Sequence, residues 1–334
     1  MYTFFLILIS VNFIYLYRYS FLLKLFNLKD KNTNVPVLGG MYLFLNFFII
    51  GVYYFYGSSS ILFGDYFREF YTDQKQVSSR EIFVFFLLPT FFFLMGLFDD
   101  KFNLNANYRI IISFIIITLF LLIDENFIIK TISYNEEIEI QLFSLSIFFT
   151  TICVTGFIFA LNMYDGINLQ IGFHLLIIFT FFVFKGILIN FFIIFIILIL
   201  IFLYQNYNNK TYMGDSGVYF MGTIIALIFL KNYNIGVLKI EEIIILSLVP
   251  ILDMFRVIFL RILNGSHPFK KDNLHLHYVL QQKFKKRYLW QIGSILTLLN
   301  ILFLVTLNKA NLVLFLATLT YFSTIFYLLL IKKK

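Results

Sequence analysis

Three carboxylate clusters and one histidine loop carry the groups in this chain that could do chemistry. The first is Gly96-Leu97-Phe98-Asp99-Asp100-Lys101-Phe102-Asn103, where two adjacent acids follow an apolar run from Glu81 to Phe98. A carboxylate at a membrane edge is costly unless it meets water, a cation or a partner, so it marks a functional site by default. The others are Asn162-Met163-Tyr164-Asp165-Gly166-Ile167-Asn168, Met213-Gly214-Asp215-Ser216-Gly217 and Asp272-Asn273-Leu274-His275-Leu276-His277. A hard cation such as Mg²⁺ wants oxygen ligands, commonly one or two carboxylates plus waters and substrate phosphates. Asp165 and Asp215 sit in glycine-containing stretches where backbone can come close to a phosphate, and they are the expected metal ligands. His275 and His277, with Lys270, Lys271 and Arg261 nearby, could hold a diphosphate or a sugar by charge and hydrogen bonds.

The elements that must position these groups are membrane spans. Of 334 residues, 60% are hydrophobic and 13% charged, with 47 Phe and a mean hydropathy of +0.88, which excludes a soluble domain. Apolar stretches of about 17–25 residues recur along the whole chain, and lipid offers backbone groups no outside partner, so each reads as a helix. The expected fold is an all-α polytopic membrane protein, one integral domain over 1–334, with about eleven transmembrane helices. They are placed at 2–23, 38–57, 81–98, 109–123, 142–160, 169–185, 186–204, 218–231, 240–260, 289–307 and 310–330. The first stretch lacks a basic leader and a small-residue cleavage site, so it reads as a retained helix. Cys153 lies in an apolar run and reads as a buried, inert thiol.

Sidedness follows from the basic residues. One side receives about 18 of the 26 Lys and Arg, including Lys332 to Lys334 and the run 283–287, and the positive-inside rule assigns that side to the cytoplasm. All four clusters fall on loops of this side, with the C-terminus, while an odd span count leaves the N-terminus outside. The net charge of +8 therefore reports topology and attraction to anionic headgroups, or to a polyphosphate substrate, and not to nucleic acid. On the other side lie a polar loop, Ser58 to Arg80, and a stretch from Ile128 to Gln141 that alternates around Asn135-Glu136 as a small external β-hairpin would. Trp290 and nearby tyrosines read as an interfacial belt.

The motifs come in a recognisable order: Pro36-Val37-Leu38-Gly39-Gly40, the Asp-Asp segment, Asn-x-x-Asp-Gly, Gly-Asp-Ser-Gly, and the loop Ser266 to His277. Over roughly residues 36–280 the chain resembles polyprenyl-phosphate N-acetylhexosamine-1-phosphate transferases of the WecA/MraY type (glycosyltransferase family 4). Its His-x-His loop is closer to the branch that initiates O-antigen and teichoic-acid synthesis in cell-wall biogenesis. The resemblance implies transfer of HexNAc-1-phosphate from a UDP-HexNAc, with UDP-GlcNAc the expected donor, to undecaprenyl phosphate, releasing UMP in a bacterial inner membrane. It also implies Mg²⁺, or Mn²⁺ in its place, as cofactor. Carried over by position, Asp99 and Asp100 match the acidic pair, Asn162 and Asp165 the nucleotide and metal loop, and Asp215 a metal-associated aspartate. His275 and His277 match the histidine loop. The chain departs from the pattern at Asn103, where many relatives have an acid, at Asn168-Leu169-Gln170 for Asp-Gly-Leu, and at Tyr278 for a further His. Asn206 aligns with a family asparagine if one residue is missing before Met213.

The expected catalytic residues are thus Asp99, Asp100 and Asp215. The expected substrate-binding residues are Asn162, Asn206, Arg261, Lys270, Lys271, His275 and His277. Beyond the two substrates the expected partner is the bilayer, and a homodimer is left open. Two other readings stand beside this one. Acids near spans also mark ion pathways in transporters, but those sit near the midplane between repeated halves, and no repeat is visible here. A relative that binds lipid phosphate without turnover fits the departures at Asn103 and Asn168. His174, within a span, reads as a satisfied intramembrane histidine.

Overall fold

The computed structural model describes residues 12, 15, 29, 33–57, 78–134, 138–269, 272–283, 289–307 and 310–330. Among them are eleven helices and one hairpin: α1 Gly39–Gly57, α2 Ser79–Phe102, α3 Ala106–Ile123, β1 Thr131–Tyr134, β2 Ile138–Gln141, α4 Ser146–Tyr164, α5 Gln170–Phe184, α6 Ile189–Tyr207, α7 Gly214–Asn234, α8 Ile240–Leu263, α9 Leu276–Lys283, α10 Leu289–Leu307 and α11 Ala310–Leu330. Among the described residues seven helices are long and apolar enough to cross a membrane, and three more carry apolar segments, Gly39–Ile50, Gln170–Phe184 and Gln291–Leu307. These ten coincide with ten of the expected spans, and the chain is an all-α multi-pass membrane protein. All of the first expected span but residues 12 and 15, the loop before residue 78, the hairpin tip, Lys270, Lys271, most of the 283–287 run and Lys332 to Lys334 lie outside the described residues.

Hydropathy alone does not say how deeply a span is buried. α7 has the lowest mean hydropathy, 1.3, yet 89% of its apolar window is buried, whereas α3, at 2.2, is only 22% buried. Without a hydrophobic force between helices in lipid, small and polar residues mark the faces that pack on protein. The face of α4 bearing Phe148 and Ile152 is exposed, and Cys153 lies there, not buried as expected. An apolar run does not say which of its faces meets lipid.

The chain divides into two compact units, one of Met1–Leu104 with Ile178–Met221 and one of Asn105–Ile177 with Gly222–Lys334. In the first, α1, α2, α6 and the start of α7 enclose an aromatic core. Phe44 stacks on Phe93 at 3.9 Å between ring centres, and Phe47 meets Phe220 edge-on at 5.1 Å. Such pairs add about 0.5–1.5 kcal/mol beyond the area they bury. Ser78 caps α2 by accepting the Glu81 N–H at 3.1 Å, and Asn103, at φ 51°, ends it in the left-handed conformation that asparagine tolerates.

In the second unit α8 packs on α4, α10 and α11, with Ile245, Leu248, Val313 and Ala317 as one buried cluster. The hairpin forms as expected, antiparallel, with Thr131 opposite Gln141 and Tyr134 opposite Ile138. It is tied to the end of α7, where the Tyr233 hydroxyl donates to the Thr131 carbonyl at 2.9 Å and accepts the Ser133 N–H at 2.7 Å.

Candidate active site

The acidic pair does not follow its helix. Asp99 and Asp100 lie in the last turn of α2, and Asp215 lies in the first turn of α7, so three acids expected on loops are helical. Polar residues at a span end continue the helix as long as their carbonyls and N–H groups find caps, which hydropathy does not register. Asp165 does lie just past a helix, at the C-terminal cap of α4, and Asn162 is in that helix's last turn.

The first unit joins Asp100 to Asp215. Asp100 Oδ1 accepts the Asp215 N–H at 2.8 Å and Oδ2 accepts the Ser216 N–H at 3.1 Å, so its carboxylate closes the N-terminus of α7. Negative charge there meets unpaired N–H groups and the positive end of the helix dipole. For Asp100 this helix end is the partner that a carboxylate at a membrane edge needs. Asp99 is 3% exposed. Its Oδ1 accepts the Leu104 N–H at 2.9 Å and its Oδ2 the Tyr219 hydroxyl at 3.3 Å.

Glycines set this geometry. A methyl group on Gly96 would overlap the Ser216 backbone, and one on Gly40 the Gly217 backbone, so α1 and α2 both meet the start of α7 at main-chain distance. Gly214, at φ 77°, makes the turn into α7 and leaves room for the Asp100 carboxylate. The Pro36 to Gly40 motif pairs with the chain just before α7: Gly39 and Gly40 N–H donate to Tyr212 and Met213 carbonyls at 2.8 and 2.9 Å. Asn206, buried, donates to the Thr211 carbonyl at 2.8 Å, which places it in support of that turn. Ser216, Tyr219 and Thr211 have site-building roles that the sequence did not disclose.

The second unit holds the histidine loop by carboxylates on both sides. Asp253, 1% exposed in the middle of α8, accepts from Arg256 at 2.7 Å, the Tyr321 hydroxyl at 2.9 Å, the Leu276 N–H at 3.0 Å and His275 Nδ1 at 2.9 Å. Arg261 lies in the last turn of α8, its side chain 4% exposed. It makes a two-pronged pair with Asp272 at 2.8 and 3.0 Å and donates to the Pro268 carbonyl at 2.7 Å. These hydrogen bonds hold the Asp272 carboxyl below its usual range. Arg261 and His275, expected to bind substrate, thus face partners within this unit. An acid in mid-span with an arginine three residues on was the signal for Asp253 and Arg256.

His277 stands apart from that pairing. It is 3% exposed, its ring lies against Gly166, where a methyl group would overlap it, and its Nδ1 has no partner among the described residues. Burial, with His275 nearby, pushes its imidazole down to about 4. The Asp165-Gly166 turn and His277 are thereby brought together, as the spacing did not require. His174 is fully buried, with Thr297 3.5 Å from its Nδ1 and no partner for Nε2 among the described residues, so it is less satisfied than expected. No three His, Cys, Asp or Glu side chains gather as a metal nest among the described residues. The donors on offer are carboxylates, the right type for a hard cation whose other positions are filled by water and phosphate oxygens.

The fold and these acids define a multi-pass membrane protein with carboxylates set at the ends of its spans. Residues 82–232 match the family model described as Glycosyl transferase family 4. A 74-residue stretch is 32% identical to the undecaprenyl-phosphate alpha-N-acetylglucosaminyl 1-phosphate transferase of Haemophilus influenzae. That stretch is 21% of this chain, and the chain spans about a fifth (21%) of the length of that curated relative. The two matches support the family whose motifs the sequence carries. The family-model match takes in Asp99, Asp100, Asn162, Asp165 and Asp215 and stops short of the histidine loop.

Proposed function

We propose that this protein transfers HexNAc-1-phosphate from a UDP-HexNAc, with UDP-GlcNAc the expected donor, to undecaprenyl phosphate at the cytoplasmic side of a bacterial inner membrane. An oxygen of the lipid phosphate forms a bond to the β-phosphorus of the nucleotide sugar. The bond from that phosphorus to the bridging oxygen breaks, and UMP leaves with the electron pair. The observation that carries the reading is the Asp100–Asp215 junction at the start of α7, inside the residues that the family model matches.

Positioning and electrostatics dominate phosphoryl transfers of this kind. Mg²⁺, when bound, would neutralise charge developing on the diphosphate, and Asp215 and Asp165 are the residues proposed to hold it. Asp100 fixes the backbone that carries Asp215. Asp99 is assigned to positioning more than to proton removal, because it already accepts from Tyr219 and Leu104. A lipid phosphomonoester with a second pKa of about 6 is also largely dianionic at pH 7 and needs little help from a base.

The test is turnover in vesicles with undecaprenyl phosphate, Mg²⁺ and a panel of UDP-sugars, scored for UMP and a lipid-linked product. Metal-dependent product that disappears in Asp215→Asn supports the reading and names the sugar. A folded sample that binds lipid phosphate and makes no product from any sugar would move the assignment to a non-catalytic relative, a reading favoured by the engagement of both Asp100 oxygens with backbone.

A further inference from the structure

His275 has a carboxylate on one ring nitrogen and a guanidinium on the other. Nδ1 is 2.9 Å from Asp253 Oδ2, and Nε2 is 3.4 Å from Arg261 Nη2. An ionised carboxylate only accepts and a guanidinium only donates, so the pair of neighbours selects one tautomer: Nδ1 carries the proton and Nε2 the lone pair. The two neighbours are themselves fixed. Arg261 is forked onto Asp272, and Asp253 Oδ1 accepts from Arg256, Tyr321 and the Leu276 N–H. Three donors on one oxygen and an imidazole on the other make the two ends of the Asp253 carboxylate inequivalent.

We propose that Asp253 is a positioning residue that sets the tautomer of His275, and through it seats Arg261 and holds the loop so that His277 lies against Gly166. This deepens the transferase reading and rests on it for its effect on turnover. The tautomer itself is independent of that reading. His275 then serves as the link between Asp253 and Arg261, and His277 keeps a ring nitrogen without a partner among the described residues.

The inequivalence of the two oxygens makes Asp253→Asn informative. With three donors aimed at Oδ1, the amide oxygen takes that place and the NH₂ turns to His275 Nδ1. That nitrogen must then accept, which moves the proton to Nε2, where it points at the Arg261 guanidinium. Tyr321→Phe removes one of the three donors and leaves the His275 side of the carboxylate alone.

The experiment is ¹⁵N NMR of the full-length protein, histidine-labelled, in detergent or nanodiscs. With four histidines in the chain, single His→Gln variants assign each ring. Wild type and Tyr321→Phe are expected to show His275 with the proton on Nδ1, and Asp253→Asn with it on Nε2. In the turnover assay Asp253→Asn is expected to lose on the order of 10-fold or more in kcat/KM, as removal of an orienting partner commonly does. A wild-type His275 protonated on Nε2 would overturn the proposal even if Asp253→Asn failed to fold. So would an unchanged tautomer in a folded Asp253→Asn. A tautomer switch in a protein that turns over no sugar would sink the transferase reading and leave the positioning role standing.

Discussion

Removing the Asp100 carboxylate should separate its role as a helix cap from a role as a bearer of charge. Both Asp100→Ala and Asp100→Asn abolish the negative charge, and both relieve its repulsion with Asp99. That relief could be large, since two unit charges about 6 Å apart repel by roughly 3 kcal/mol at an effective dielectric of about 20. It is the same in the two variants, so their difference isolates the hydrogen bonds. Asparagine keeps one acceptor for the Asp215 N–H, now at 2.8 Å, and loses the bond to Ser216, now at 3.1 Å. Alanine leaves both N–H groups at the start of α7 without this partner. One retained cap bond contributes about 1–2 kcal/mol. Asp100→Asn should therefore melt roughly 1–3 °C above Asp100→Ala when the purified proteins are unfolded thermally in one detergent. Equal melting temperatures would refute the capping role, and a large rise in the Mg²⁺ concentration needed for turnover, with no change in melting, would make Asp100 a metal ligand instead.

Other substitutions test the remaining parts of the site. Gly40→Ala and Gly217→Ala force a methyl group into facing backbone and should each cost about 1–3 kcal/mol or more, read as lower melting temperature and poor accumulation in membranes. The buried His277 has its folded value pushed to about 4, so the unfolded chain binds the extra proton between about pH 6.5 and pH 4. Stability should fall as the pH is lowered across that window, by at most about 1.4 kcal/mol per unit, and His277→Phe should flatten the profile. For Asp272 the direction is the same and the cause differs: its folded value is depressed, chiefly by the Arg261 hydrogen bonds, so its contribution is full above the ordinary carboxylate value and lost as pH falls through the depressed one. Arg261→Gln should move the Asp272 carboxyl back towards its usual value in a ¹³C titration, and an unmoved carboxyl would remove Arg261 as the cause.

Length and hydropathy made the spans legible, because a helix is the one backbone form that satisfies itself in lipid within a single segment. Period-2 alternation did the same for the hairpin. The ends of the spans were less legible, and the site lies at the ends. Whether α2 stops at Phe98 or at Phe102 depends on Asn103 adopting a left-handed cap, and whether α7 starts at 218 or at 214 depends on a carboxylate from a helix more than a hundred residues earlier. Neither partner is visible in a local window. The pairing of Gly39 and Gly40 with Tyr212 and Met213 is hidden for the same reason, although the glycines themselves signalled a close approach.

The acids also illustrate why residue type locates a site better than it assigns a role. Asp99, Asp100, Asp253 and Asp272 lie in or beside apolar spans, where an unpaired charge is expensive, and each carboxylate is met by N–H or O–H donors from its own unit. The cost of burying the charge is offset by fixing something else: the start of α7 by Asp100, the start of α9 and the ring of His275 by Asp253. Under the proposed function a charged substrate would meet dipoles already oriented within each unit, as electrostatic stabilisation of a phosphoryl transfer requires. In the first unit the acid that holds backbone, Asp100, and the acid proposed to meet the substrate, Asp215, adjoin at one helix end. A variant that spares the latter and loosens the former should lose turnover before it loses substrate.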